Sequence, residues 1–332
     1  MAARLTVAEL VDRGDLDDLL RRADDLCDAS DWDGLLQLRD LSRAAFERGR
    51  QLWPAASHAE YRLALQAPGP WAAAVIGPGA GRFALGPLTE VAASTHRWDE
   101  LAPHLPAGLP EAALIAEERV IRGEDLQADG RIDPMLTELP LVLQRWEPDY
   151  PVAAYRPYSA DFGDVPAPAM EEVAIGAGSA APVVDDPDAT HAFIEVVAPW
   201  TTQSNGRAAA VAVAGDALGA IGALAGVGPT VRLAQVDAAH ALALLAWAGA
   251  SGGAHGRRRG MAQGRFTAWW TAAALGDALD DWPADVGDAL GDLRFYRWDR
   301  LEPSTGWVLR LAAERPDDGR AWAVEATDAA HP

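Results

Sequence analysis

The sequence predicts an α+β protein with a mostly helical N-terminal part and C-terminal helices packed on a small, partly antiparallel sheet. Three features lead to this prediction. Apolar residues recur at helical spacing through the first 125 positions, prolines interrupt residues 126–190, and the last third ends in three strand-like runs. We therefore expect a helical domain at 1–125, a proline-rich irregular connection at 126–190 and an α+β domain at 191–332.

The helical domain opens with two amphipathic stretches. In the first, apolar residues follow the three-and-four spacing of one helix face: Leu16, Leu19, Leu20, Ala23, Leu26 and Cys27. The second covers residues 32–50. Further helices are expected from Pro54, Pro87 and Pro110, because proline is favoured in the first turn of a helix.

A short sequence pattern that occurs twice predicts helix pairs like those of an α-solenoid. Trp32-Asp33-Gly34-Leu35 and Trp98-Asp99-Glu100-Leu101 share a Trp-Asp-x-Leu pattern, about two periods of a roughly 33-residue two-helix repeat apart. Stacked helix pairs would present a broad binding surface. The alternative is that Trp-Asp supplies an anchor and a cap at two unrelated helix starts.

The α+β domain alternates apolar segments with alanine-rich helices. Residues 211–225 and 233–247 each run from an apolar segment into an aspartate, Asp216 or Asp237, and then into a helix, so each aspartate is expected to cap its helix. Another helix is expected over Met261–Leu275. Three strand-like runs then form an antiparallel meander, at 293–298, 307–312 and 321–326.

The charge balance limits the partners that we expect. The chain has 49 acidic residues against 28 arginines and no lysine, for a formal net charge of −21. A surface of that sign repels nucleic acid and anionic lipid, so we expect neither nucleic acid nor a membrane as a partner. Without lysine, Schiff-base and P-loop lysine chemistry is excluded.

The single cysteine, Cys27, lies on the apolar stripe of the first helix and is expected to be a small buried side chain. Alone it forms neither an internal disulfide nor a cysteine-based metal site. Residues 1–18 lack the basic start and the apolar run of a signal peptide, which leads us to expect a cytoplasmic protein. We expect no cofactor and no metal.

Sequence motifs do not identify a reaction. The chain has no HExxH, no Walker lysine loop, no CxxC and no nucleophile elbow. Gly77-Pro78-Gly79-Ala80-Gly81-Arg82 resembles a dinucleotide fingerprint only superficially, because its third glycine is misplaced and no clear strand precedes it. We interpret that segment as a loop between helices.

One segment contrasts with the acidic chain. Between Asp237 and Asp277 there is no acidic residue, and glycines are interspersed among arginines ahead of the predicted helix. Glycines allow a ligand to approach the backbone, a helix N-terminus has unpaired N–H groups, and guanidinium groups match phosphate or carboxylate. We predict an anion site formed by His255, Arg257, Arg258, Arg259 and Arg265. The alternative is an ion-pair network between these arginines and acidic residues elsewhere in the fold.

Two functions remain open at this point. The first is a non-catalytic interaction or regulatory protein, with a protein partner or a small anionic ligand in the Arg–Gly loop. The second is an enzyme or sensor that acts on a phosphorylated or carboxylated metabolite. In the second function the loop binds the anionic group of the metabolite, and turnover of that metabolite belongs only to this function.

Overall fold

The computed structural model describes residues 5–176, 181–302 and 304–329. The chain divides into two compact units, and each unit is formed by two separate stretches of the sequence. The helical unit comprises Met1–Thr137 with Ala153–Phe162, and the sheet unit comprises Glu138–Val152 with Gly163–Pro332. The predicted α+β class is confirmed, since the described residues form 14 α-helices, a two-stranded sheet and a six-stranded sheet.

The helical unit begins with helices whose starts are capped by side chains. Thr6, Asp15 and Asp31 each accept a hydrogen bond from a backbone N–H in the first turn that follows. Its helices are α1 Val7–Arg13, α2 Leu16–Asp28, α3 Trp32–Ala44, α4 Trp53–Gln66, α5 Gly69–Ala73, α6 Leu88–Thr95, α7 Trp98–Leu101 and α8 Pro110–Ile121. A small hairpin of β1 Ala153–Arg156 and β2 Ser159–Phe162 completes the unit.

Helix α4 lies at the centre of the helical unit. It contacts α2, α3 and α6, and residues Ala55 to Leu65 are almost all buried. The two tryptophans of the predicted repeat start helices of unequal length, since Trp32 opens a helix of 13 residues and Trp98 one of 4 residues. The repeat therefore stays a prediction.

The sheet unit places helices around one antiparallel sheet. Its helices are α9 Pro187–Val196, α10 Ala198–Thr202, α11 Ala217–Ala223, α12 Ala238–Ala250, α13 Met261–Leu275 and α14 Val286–Gly291. Its strands are β3 Glu171–Ala174, β4 Arg207–Ala214, β5 Thr230–Val236, β6 Arg294–Asp299, β7 Trp307–Arg315 and β8 Arg320–Asp328. The spatial order is β3-β5-β6-β7-β8-β4, and every neighbouring pair is antiparallel. The predicted terminal meander is the β6–β7–β8 part of this sheet.

Local chemistry in the sheet unit follows the sequence closely. Asp216 and Asp237 cap α11 and α12 by accepting hydrogen bonds from Gly219 and His240, as predicted. Helix α11 packs on the sheet through a cluster that includes Ile221, Trp298 and Ala312. Alternate residues of a strand point to opposite faces of the sheet. On β8, the side chain of Trp322 donates a hydrogen bond to the carboxylate of Asp186, the N-cap residue of α9, at 3.0 Å. None of the helices in the described residues has the length and apolar character needed to cross a bilayer.

A buried ion pair ties α13 to the segment 138–152 of the same unit. The side chains of Arg265 and Glu147 are both 0% exposed, with Nε at 2.7 Å from Oε2 and Nη2 at 2.8 Å from Oε1. Glu147 also accepts from Tyr150 Oη at 2.7 Å and from Trp269 Nε1 at 2.9 Å. The carbonyl oxygen of Pro140 accepts from both terminal nitrogens of Arg265 at 3.1 Å.

Electrostatics at this pair favour the charged carboxylate. Burial acts to raise the pKa of Glu147, but the hydrogen bonds and charge of Arg265 outweigh it and hold the pKa below its usual value. The pair therefore stays ionised at neutral pH, and each partner satisfies a charge that would otherwise be stranded in the core.

Glu147→Gln and Arg265→Met should each lower the free energy of unfolding by about 3–5 kcal/mol, because each leaves the other charge buried and uncompensated. The double variant should lose less than the sum of the two. Urea denaturation checks this. Arg320→Met is the control, since that side chain is 51% exposed and should change stability by less than about 1 kcal/mol. Additive losses in the double variant would contradict the coupling.

The Cys27 thiol should be unreactive in the folded protein. It is buried, and burial raises its pKa to about 11, so only about one thiol in a thousand is ionised at pH 8. Titration with a colorimetric disulfide reagent at pH 8 should label no thiol in native protein and one per chain in denaturant. Rapid labelling of native protein would contradict the burial.

Candidate functional site

The predicted anion site centres on the loop 251–260, which joins α12 to α13. His255 and Arg257 are exposed, whereas Arg258 and Arg259 are half-buried. The loop folds back on itself, because Arg259 donates its backbone N–H to the Ala250 carbonyl at 2.8 Å. Glycine is required at this fold-back, since a Cβ at position 252 would lie 2.3 Å from the carbonyl carbon of Arg257.

Neighbouring side chains of the sheet unit hold the loop through its backbone. The N–H groups of Ala254, His255 and Arg257 donate to Asp328 Oδ2 at 2.6 Å, Ser204 Oγ at 3.1 Å and Gln203 Oε1 at 3.3 Å, respectively. The N–H of Gly253 donates to Ser251 Oγ at 3.0 Å. These four donors are therefore used by the protein, and the loop offers side chains more than backbone to a ligand.

The five predicted residues do not all lie together. Arg265 is the fully buried partner of Glu147 and belongs to the core of the sheet unit. Arg265 therefore has the geometry of the alternative interpretation, in which an arginine of this segment pairs with an acidic residue elsewhere in the fold. The loop itself carries the other four residues: His255, Arg257, Arg258 and Arg259.

Arg259 is an arginine of the loop whose charge has no partner among the described residues. Its guanidinium forms no hydrogen bond and no ion pair with the described part of the chain. Burial lowers its pKa, and the distant charge of Glu195 opposes this only in part. A half-desolvated cation without an acceptor is a group that gains from a bound anion.

Sequence reasoning missed a carboxylate beneath the loop. Asp328, the last residue of β8, is 2% exposed, and its Oδ1 is buried without a hydrogen-bond partner among the described residues. A Cβ at position 253 would lie 2.2 Å from Asp328 Oδ2 and 3.2 Å from Trp200 Cδ1, so only glycine fits above them. Asp328 is far from the loop in sequence, and no local signal identifies it.

A second site, which the sequence analysis did not predict, lies where β6 and β7 separate. The register between these strands ends at the pair Arg297–Leu311. However, β6 remains paired with β5 as far as Asp299, and β7 remains paired with β8 as far as Trp307. The two strands therefore continue past their last shared pair, and a cavity of about 350 Å³ lies between their ends.

The cavity has apolar and charged walls. Its apolar lining comes from α12, β7 and the segment that precedes β3, and includes Leu244, Trp247, Val308 and Met170. Its charged lining consists of Arg297, Arg310, Asp164 and Asp299.

The guanidinium of Arg310 is occupied by acceptors of the protein itself. It is 5% exposed, donates through Nε to Glu325 Oε1 at 2.8 Å and through Nη1 to Ser304 Oγ at 2.8 Å, and also pairs with Asp299. Asp299 in turn binds Arg232 at 2.6 Å. These contacts fix the open end of the sheet.

Arg297 differs from Arg310 in its partners. Its Nη1 donates to the carbonyl oxygens of Val165 at 2.9 Å and Pro166 at 3.1 Å, and it forms no ion pair with the described residues. Burial lowers the pKa of Arg297, against the opposing charges of Asp299 and Asp164. Among the described residues, the cavity therefore contains one arginine that forms ion pairs, Arg310, and one that forms none, Arg297.

Metal ligands are not grouped at either site. Nowhere in the described ranges do three or more His, Cys, Asp or Glu side chains come together in a way that could hold a metal ion.

Comparison with known proteins places the chain in a family. Neither curated proteins nor solved structures give a significant match to it. One family model does match, over residues 17–330, which is nearly the full length. The chain therefore belongs to DUF6183, a family of unknown function.

Proposed function

We propose that this protein is a non-catalytic interaction or regulatory protein that binds a small anion in its Arg–Gly loop, through His255, Arg257, Arg258 and Arg259. The observation that carries the proposal is Arg259, a half-buried guanidinium with no ion-pair partner in the described ranges. An arginine fork that binds phosphate or carboxylate in two parallel hydrogen bonds gives both affinity and orientation.

The charge of the whole chain supports a small ligand over a large one. With a formal net charge of −21, the protein repels polyanions at long range. A compact anion can still reach a locally positive loop, because screening in physiological salt limits the repulsion to about 8 Å. The buried carboxylate of Asp328 contacts the loop at the N–H of Ala254 and repels an anion there.

Unliganded Arg259→Ala protein should be as stable as wild type or slightly more stable, because the substitution removes a desolvated charge that no carboxylate compensates. A loss of several kcal/mol in urea denaturation would instead assign Arg259 a structural role.

Phosphate, pyrophosphate and acetate should raise the melting temperature of the wild type by mass action. A ligand at 100 times its Kd adds about 2.7 kcal/mol to the free energy of unfolding. Arg259→Ala should abolish the response, whereas Arg207→Ala, at an exposed position in β4, should retain it. An equal response in Arg259→Ala, or no response in the wild type, would contradict the loop site. Chemical conversion of an added phosphorylated or carboxylated metabolite would favour the enzyme alternative.

A further inference from the structure

We propose that the cavity between β6 and β7 binds a small organic monocarboxylate with an apolar body, and that Arg297 binds its carboxylate group. This site is separate from the Arg–Gly loop and does not rest on the function proposed for that loop.

The opening between the strands is a built feature of the sheet. Strands that continue side by side normally remain paired, because buried backbone N–H and C=O groups need hydrogen-bond partners. Here side chains rather than backbone hydrogen bonds link the two strand ends, since Arg310 of β7 stacks over Trp298 of β6 at 5.6 Å and also binds Asp299. Segment 164–170 is attached to the same place through the Nη1 bonds of Arg297.

Arg297 presents the geometry that a carboxylate needs. Its Nη1 is used by the carbonyl oxygens of Val165 and Pro166, but its Nε and Nη2 form no hydrogen bond with the described part of the chain. These two nitrogens form the side-on fork of the guanidinium, whose parallel N–H bonds match the two oxygens of a carboxylate. The contacts to Val165 and Pro166 hold the fork in place before a ligand binds.

The remaining walls define the body of the ligand. Leu244 is buried, Trp247 and Val308 are half-buried, and together with Met170 they form an apolar surface. A volume of about 350 Å³ is at the lower end of the range for small-molecule pockets, which is about 300–1,000 Å³. An aromatic or short aliphatic body therefore fits better than a nucleotide or an acyl-CoA.

The acidic residues of the cavity select the ligand's charge. The charges of Asp299 and Asp164 both act to raise the pKa of Arg297, but Asp299 is already paired with Arg232 and Arg310, whereas Asp164 is exposed. A second negative charge on the ligand would meet this carboxylate without a further cation to offset it. The site therefore prefers a monoanion over a phosphate dianion.

Calorimetric titration of the full-length protein with phenylacetate, indole-3-acetate and hexanoate tests the proposal. At least one of the three should bind. The neutral phenylacetamide should bind at least about tenfold more weakly, which is the usual effect of losing one charge-assisted hydrogen bond. The dianionic phenyl phosphate should also bind more weakly, because its second negative charge meets Asp164.

Two variants examine the two halves of the site. Arg297→Met should weaken carboxylate binding at least about tenfold and lower the melting temperature only slightly, because it removes the two hydrogen bonds to Val165 and Pro166 but no ion pair. Ala167→Trp, at an exposed position on the cavity wall, should block the opening and abolish binding even if the fold tolerates Arg297→Met poorly.

Two further variants serve as controls. Arg294→Met, three residues earlier on the same strand and 58% exposed, should bind like the wild type. Arg259→Ala should also retain carboxylate binding in the cavity, which separates failure of this site from failure of the loop.

Three results would overturn the proposal. The first is that no carboxylate of the panel binds at about 10 mM, a concentration that detects even weak sites. The second is undiminished binding by both Arg297→Met and Ala167→Trp. The third is equal affinity for phenylacetate and phenylacetamide.

Discussion

An arginine side chain that leaves water must find its counter-charge in the protein or in a ligand, because its guanidinium does not lose its proton at physiological pH. The chain has 28 arginines and no lysine, so the need for a counter-charge applies to every arginine that the fold buries. The sheet unit meets it at Arg265 with Glu147, and at Arg310 with Asp299 and Glu325. These pairs hold α13 and the open end of the β6–β7 sheet in place.

Within the described part of the sheet unit, the same constraint singles out Arg259 and Arg297. Both are half-buried, burial lowers the pKa of both, and neither forms an ion pair within the described ranges. Carboxylates are abundant in a chain with 49 acidic residues, so an arginine left without one is an informative exception. Helix α12 connects the two sites, because it lines the cavity with Leu244 and Trp247 and ends where the Arg–Gly loop begins.

Sequence reasoning succeeded where the structure depends on local periodicity and on local caps. It predicted the α+β class, the bounds of α13 and the capping roles of Asp216 and Asp237. It did not predict β3, because that short strand pairs with β5 across a long stretch of chain. The site residues show the same difference between local signals and contacts made only in the folded chain. The Arg–Gly loop is visible as a composition change, but Glu147 and Asp328 reach Arg265 and Ala254 only through the tertiary fold. The cavity arises from the point where one strand register ends, which a single sequence does not reveal.

We infer that arginines saturated by the protein's own acceptors are structural and that Arg259 and Arg297 bind ligands. Side-chain ¹⁵N NMR of arginine Nε–H groups, assigned by single substitutions, tests it directly. We expect phosphate to shift the Arg259 signal and phenylacetate to shift the Arg297 signal, while the signal of the fully buried Arg265 stays unchanged and slow to exchange with water. Unchanged Arg259 and Arg297 signals at saturating ligand, or a ligand-induced shift at Arg265, would contradict this expectation.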